Sequence, residues 1–303
     1  MRKITKGSRV TWIDLQNPTK DDIQYLKENY NFHPLVLEEL QVHGHRPKVE
    51  HYKDYLFMIL YYPVFNKERR ETRPRQLNII ITKDTLITTH HKIILPIKSL
   101  LDNCNLYSES KKNYMSEGTG QLLFYALSGF WKNCLTRMQR INQRIDEVEK
   151  EIFRGKEKEM VLEISFVKTD IIDFLRIIEP QEEILDSLYR EGSSFFGPEL
   201  KPYFSDILGT HNQVLNHLRT YKETILALED TNQSLLSSKT NEIIQLLTVF
   251  SVIMLPLTFI ASVWGMNIHL PLDDNAIGFW VIIGLMSILT GLMVFYFRKK
   301  KWL

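Results

Sequence analysis

Side chains that could do chemistry at close spacing are, in this chain, mostly amides, hydroxyls and carboxylates rather than nucleophiles. Stepping by alternating threes and fours from Asn241 collects Ile244, Thr248, Ser251, Leu255, Thr258 and Ser262. At 3.6 residues per turn these positions share one stripe of a helix. One amide and four hydroxyls therefore lie among large aliphatic residues, and the stripe runs out at Gly265-Met266-Asn267 in the stretch SVWGMNIHLP. Neutral oxygens of this kind exchange hydrogen bonds with water without fixing a charge. Two readings stay open at this point. The hydroxyls satisfy backbone carbonyls and help helices pack, or the stripe lines a water-filled path. A path needs several copies around an axis, because two helices enclose nothing.

Other chemistry is thin. His90 and His91 are neighbours and would point to opposite sides of a strand, which argues against joint metal binding. Cys104 and Cys134 lack CxxC spacing and have no histidines clustered around them, so reduced thiols are expected rather than zinc or a disulfide. No phosphate-cradling glycine loop and no nucleophile motif occurs, and neither an enzyme nor an organic cofactor is expected. Formal charge over the 303 residues is +2, with both signs intermixed over most of the chain, which gives no reason to expect nucleic acid. MRKITKGSRVTW has basic residues but no apolar core, unlike a secretory signal.

The elements that must position the stripe follow from patterning. Ile243–Val263 and Ile277–Phe297 are charge-free runs of about 21 residues, close to the ~20 that span a bilayer core. Arg298, Lys299, Lys300 and Lys301 follow the second run, whereas the linker carries Asp273 and Asp274 and no Lys or Arg. The positive-inside rule then puts both termini in the cytoplasm and the linker outside, with Trp264, Trp280, Tyr296 and Trp302 near the interfaces.

Upstream, SRVTWIDL and DYLFMILYYPVF read as strands, and QLNIIITKDTLITTHH as a hairpin turning near Lys83-Asp84. Thr19 with Asp22 signals a helix start, and HPLVLEELQVHG a second helix ending near Gly44. Leu123, Leu127, Phe130, Cys134, Met138, Ile141, Ile145 and Val148 mark a long amphipathic helix. Another follows, interrupted at Pro180, and from about Tyr203 a third continues into the first span. The expected organisation is a cytoplasmic α/β domain over 1–118 and long helices over 119–240. These lead into a two-helix transmembrane hairpin: a first span over 241–264, a turn and outer loop over 265–276, a second span over 277–297, and a basic tail over 298–303.

TNEIIQLLTVFSVIMLPLTFIASVWGMN, a short loop, a second span and FRKKKWL together resemble the CorA family of magnesium transporters, whose signature is Gly-Met-Asn at the outer end of the first span. LEELQVHGHRPKVEHYKDYLFMIL resembles the family's cytoplasmic domain as well. The resemblance implies a funnel-shaped homopentamer in the plasma or inner membrane, taking up Mg2+, with Co2+ or Ni2+ as possible passengers. It implies a selectivity ring at Asn267, shaped by Gly265 and Met266. Asn241, Ile244, Leu247, Thr248, Ser251, Leu255 and Thr258 would line the path, with Ile244, Leu247 and Leu255 as its apolar constriction. Neutral amides suit a small ion that sheds water reluctantly, since conduction needs weak binding. Asp273 and Asp274 would concentrate cations at the mouth.

Regulatory Mg2+ would be bound by Glu38 and Glu39 facing Asp206 of a neighbour; where a further family carboxylate is expected, this chain has Ser128. Arg298 to Lys301 mark topology first and a collar beside the path second. Met266 is retained where the related zinc transporters carry an aliphatic residue, which favours Mg2+, while His269 keeps zinc open as an alternative. A non-conducting membrane-anchored scaffold is the other alternative, and it leaves the polar stripe without a purpose.

Overall fold

A computed structural model of the chain describes residues 2–266 and 276–302. It divides into two units, Met1–Glu229 and Asp230–Leu303.

In the first unit, β1 (Arg2–Lys6), β2 (Thr11–Gln16), β3 (Lys48–His51), β4 (Leu56–Asn66), β5 (Glu71–Ile81) and β6 (Thr85–His90) form one sheet. The order is β1-β2-β6-β5-β4-β3, antiparallel throughout except for the parallel pair β2 and β6. Every residue from Leu56 to Leu60 is buried, as a continuous apolar run in a strand covered on both faces requires. The predicted hairpin turns at Lys83-Asp84. There the Thr82 hydroxyl donates to Asp84 Oδ1 at 2.7 Å and accepts from the Thr85 amide at 2.9 Å. Across one face lies a cluster that includes Ile13, Leu26, Val36, Leu40 and Phe57.

Four of that cluster's residues, Leu26, Val36, Leu37 and Leu40, come from α1 (Lys20–Asn29) and from α2 (Pro34–Glu39) or its cap. Thr19 and Asp22 close the expected capping box on α1. The second helix is shorter than the sequence suggested. It stops at Glu39 because the following segment is tied elsewhere: the Gly44 amide donates to Gln76 Oε1 at 2.9 Å, and Tyr61 donates to the His45 carbonyl at 2.6 Å. Gly44 takes φ +89°, which suits glycine.

Helices α3 (Leu95–Leu106), α4 (Ser108–Met115), α5 (Thr119–Phe153), α6 (Glu157–Ile178) and α7 (Glu182–Phe196) complete this unit together with the start of α8 (Lys201–Trp264). All eight apolar positions read from the sequence of α5 are buried. Pro180 sits in a short 3-10 turn between α6 and α7, and Gly197 at φ +108° ends α7. α6 packs on β4 and β5, α5 on β6, and α3 on α5. Cys104 and Cys134 are buried free thiols. His90 is buried with Nε2 3.2 Å from Asp14, while His91 bonds Asn17, so the two rings do serve different partners.

The second unit holds the remainder of α8 and all of α9 (Ala276–Lys299). Both helices contain a window of mean hydropathy 2.3, long and apolar enough to cross a membrane. α8 runs through Pro256, which has no N–H and so leaves the Val252 carbonyl without its usual helical donor.

Candidate ion path and cation-binding residues

Around the span of α8, exposure is two-sided. Val249 is buried, and Gln245, Ile253, Pro256, Leu257, Ile260 and Val263 are partly covered. At 100° per residue these define one side of the helix, and the predicted polar stripe is centred roughly 145° away from it. Asn241, Ile244, Leu247, Thr248, Ser251, Leu255, Thr258 and Ser262 are all exposed. Large apolar residues such as Ile243, Leu246, Phe250 and Phe259 are exposed as well, so the structure marks which side of the helix is covered within one chain and places the stripe away from it.

Three hydroxyls on the stripe share one geometry. Thr248 donates to the Ile244 carbonyl at 2.7 Å, Ser251 to Leu247 at 2.8 Å, and Thr258 to Met254 at 2.9 Å. Each thereby spends its only proton inside the helix and keeps its oxygen as an acceptor. Satisfaction of backbone carbonyls and a water-facing role are thus compatible: what remains outward is an acceptor, which suits the hydrogens of a cation's hydration shell.

The stripe also continues further toward the N-terminus than the sequence reading took it. Asp230, Gln233, Ser234, Ser237 and Ser238 line, with Asn241, an open groove of about 670 Å3. The signal was available, since Asp230, Ser234, Ser237 and Asn241 keep the same three-and-four spacing.

At the other end, the Gly265 amide donates to the Ala261 carbonyl at 3.0 Å and Met266 to Val263 at 3.3 Å. An added Cβ at Gly265 would lie 3.3 Å from the Ala261 carbonyl oxygen, a tight contact that glycine avoids. Asn267, His269, Asp273 and Asp274 lie outside the described residues.

The carboxylates read as a regulatory set are not gathered within one chain. No group of three or more His, Cys, Asp or Glu side chains among the described residues is placed to hold a metal. Glu38 and Asp206 are exposed. Glu39 is half-buried, pairs with Lys48 at 2.9 Å, and keeps Oε2 buried without a partner. Lys48 also reaches Glu50 at 2.8 Å. Burial pulls the Lys48 ammonium down, but Glu50 and Glu39 together hold it above its ordinary value. Tyr52, which donates to Glu50 at 3.0 Å, is pushed up to about 12 by burial and by that carboxylate. Ser128 is half-buried on α5 and makes no part of this group.

The tail is an ordered helix cap. Lys301 adopts φ +57°, its amide donates to the Arg298 carbonyl at 3.0 Å, and the Trp302 amide donates to Phe297 at 3.0 Å. Phe297 and Trp302 stack with centroids 5.9 Å apart, completing a Schellman motif. Arg298, Lys299, Lys300 and Lys301 are all exposed, and they complement the helix's negative end.

Known proteins resemble this chain in sequence and fold. The cobalt/magnesium transport protein CorA of Thermotoga maritima is 31% identical over 303 aligned residues, covering 98% of this chain and 84% of that one. The protein of the same name from Methanocaldococcus jannaschii is 25% identical over 300 residues, covering 97% and 92%. The solved structure of the complete M. jannaschii CorA magnesium transporter superposes with a TM-score of 0.85 at 23% identity, over 100% of this chain and 99% of that one. Residues 7–299 match the family model described as CorA-like Mg2+ transporter protein, and this chain belongs to that family.

Proposed function

We propose that copies of this chain surround a water-filled axial path that carries Mg2+, and with it Co2+, down its electrochemical gradient into the cell. The observation that carries the reading is the sidedness of α8: its hydroxyl and amide stripe is exposed, opposite the covered side, with acceptor oxygens outward. A stripe of this kind is poorly matched to lipid and well matched to water. The family points to five copies and to a plasma or inner membrane, with both termini in the cytoplasm.

In this account the hydrated ion meets Asn267 amides at the outer mouth, beside Gly265 and Met266, after concentration near Asp273 and Asp274. It then exchanges hydrogen bonds with Thr258, Ser251 and Thr248. Leu255, Leu247 and Ile244 form apolar rings that close by excluding water. Asn241 and the groove residues down to Asp230 receive the ion on the inner side. No nucleotide hydrolysis is needed, since two charges gain ~4.6 kcal/mol per 100 mV of inside-negative potential. Arg298 to Lys301 hold the second span's inner end.

Glu38 and Glu39, with Asp206 of a neighbouring copy, would hold a regulatory Mg2+ that favours the closed state. Oxygen donors suit that hard ion, and the unpartnered, buried Glu39 Oε2 leaves a lone pair available for it. Lys48 competes for the same carboxylate, so occupancy at this site is weakened by a resident cation.

Asn267→Ala tests the outer ring. Mg2+ uptake into liposomes is expected to fall to background while the purified oligomer keeps its size. Normal uptake by that variant removes the ring from the account, and wild-type protein passing no Mg2+, Co2+ or Zn2+ would leave only a membrane-anchored scaffold.

A further inference from the structure

Unit one contains a cavity of about 740 Å3 between the β4–β5 strands and α5, reaching α3 at Leu95 and α6 at Asp170. Its size is that of a small-molecule site. Six cationic side chains line it, Lys67, Arg70, Arg75, Arg137, Arg140 and Arg144, against the single carboxylate of Asp170.

We propose that this cavity binds a nucleotide-type anion, a molecule joining two or more phosphates to a flat, largely apolar body. The conduction reading is not required for it.

The charges are poorly matched as they stand. Arg70 is paired in a fork with Glu163 and is satisfied. The other five cations face one carboxylate, an excess of four. Asp170 is divided among several donors: Thr72 Oγ1 at 2.6 Å, Arg137 Nη2 at 2.8 Å and Arg144 at 3.6 Å. After that, Arg137 Nε and Arg144 Nη2 are buried with no acceptor. A buried guanidinium donor left unpaired is costly, and each such group asks for an anion. Arg140 and Lys67 are exposed and form no ion pair with any described residue. Arg137, Arg140 and Arg144 fall at i, i+3 and i+7, stacking like charge on one face of α5, which disfavours the helix unless something neutralises it. Burial also holds Arg137 below the ordinary guanidinium value, outweighing the opposing pull of Asp170.

The class of ligand follows from geometry. Guanidinium forks match phosphate oxygens in pairs. An excess of four suits a di- or triphosphate, with about three or four charges near neutrality, better than a lone phosphate. The rest of the wall is mostly apolar: Leu95, which is exposed, with Val64, Phe65, Pro63, Tyr62 and Ile141, beside the polar side chains of Asn133 and Thr136. Inorganic polyphosphate would leave the apolar surface of Leu95, Val64 and Phe65 uncovered, whereas a nucleoside covers it.

Calorimetric titration of the full-length protein in detergent, with EDTA present to remove divalent ions, tests the assignment using sodium ATP as the probe. Saturable binding of one ATP per chain is expected, weakening as salt rises from 20 to 200 mM (roughly, for charge-assisted binding). Lys67→Ala with Arg140→Ala should weaken it about tenfold or more, and Arg140→Gln alone about fivefold, should the double variant fail to fold. Lys112→Ala, on α4, should bind as wild type. Pyrophosphate should bind at least about tenfold more weakly than ATP, through loss of the apolar contact. The proposal is overturned by any of three results. These are no saturable binding, as when a neighbouring copy's carboxylates already fill the cavity, wild-type affinity in the Lys67 and Arg140 variants, or equal affinity for pyrophosphate and ATP.

Discussion

Thr258→Val separates a hydroxyl that serves the helix from one that serves an ion. The change keeps the β-branched shape and removes one oxygen. In the native protein that hydroxyl donates to the Met254 carbonyl at 2.9 Å and its oxygen is exposed. The carbonyl already belongs to the helix ladder, so loss of the back-bond should alter stability by only about 0.5 kcal/mol. What is lost is an acceptor for water polarised by a dication. A hydrogen bond of that kind contributes about 1–2 kcal/mol, so Mg2+ entry below saturation should slow roughly 5- to 30-fold. Thr290→Val in α9 is the matched control, because Thr290 makes the same bond, to Met286 at 2.8 Å, on the second span. Initial rates of dye-reported Mg2+ entry into liposomes, at equal protein content, give the comparison. Thr290→Val should stay within about twofold of wild type. Equal losses in the two variants, or no loss in Thr258→Val, would refute the idea that the α8 hydroxyls face the ion.

Two further outcomes follow from the first unit. Glu39→Ala with Asp206→Ala should raise the Mg2+ concentration that protects the protein from protease by at least about tenfold, since two oxygen ligands are lost; an unchanged midpoint would show that these carboxylates do not sense Mg2+. Asp170→Asn removes the only carboxylate among the residues lining the cavity and should cost about 3–5 kcal/mol, or roughly 6–20 °C in thermal unfolding of the detergent-solubilised protein; a shift below about 2 °C would mean that Arg137 and Arg144 do not depend on Asp170 for their counter-charge.

The parts of the fold that could be read in advance are those where one periodicity dominates. α5 announces itself because its apolar residues recur at threes and fours for most of its length, and each one is buried. Thr19 and Asp22 are a local signal with a local cause. β1 was not readable as a strand: RKITK carries three cations, Ile4 is exposed, and only Thr5 is buried, bonded to Asn105 a hundred positions away. β3 is four residues at the sheet edge, and α4 is a polar helix with only Met115 buried. Such elements are held by tertiary partners rather than by their own pattern. The span of α8 shows the same division. Its polar stripe and Gly-Met-Asn ending were legible from residue types, but which side is covered was not, because large aliphatics occur all round the helix. The arginine cavity was invisible for another reason. Its cations come from β4–β5 and from α5, far apart in sequence, and acquire meaning only when the sheet brings them together.

Cadmium block of engineered cysteines tests the central claim most directly. Ser251→Cys places a thiol on the exposed stripe, and the native Cys104 and Cys134 are buried. Thiolates bind this soft dication firmly. Micromolar Cd2+ (an order-of-magnitude expectation for convergent thiolates) should stop Mg2+ entry through Ser251→Cys and release it on chelation. Leu246→Cys, exposed but about 140° round the helix, should conduct as wild type in Cd2+. Block at Leu246→Cys with free passage through Ser251→Cys would mean that the stripe does not line the path.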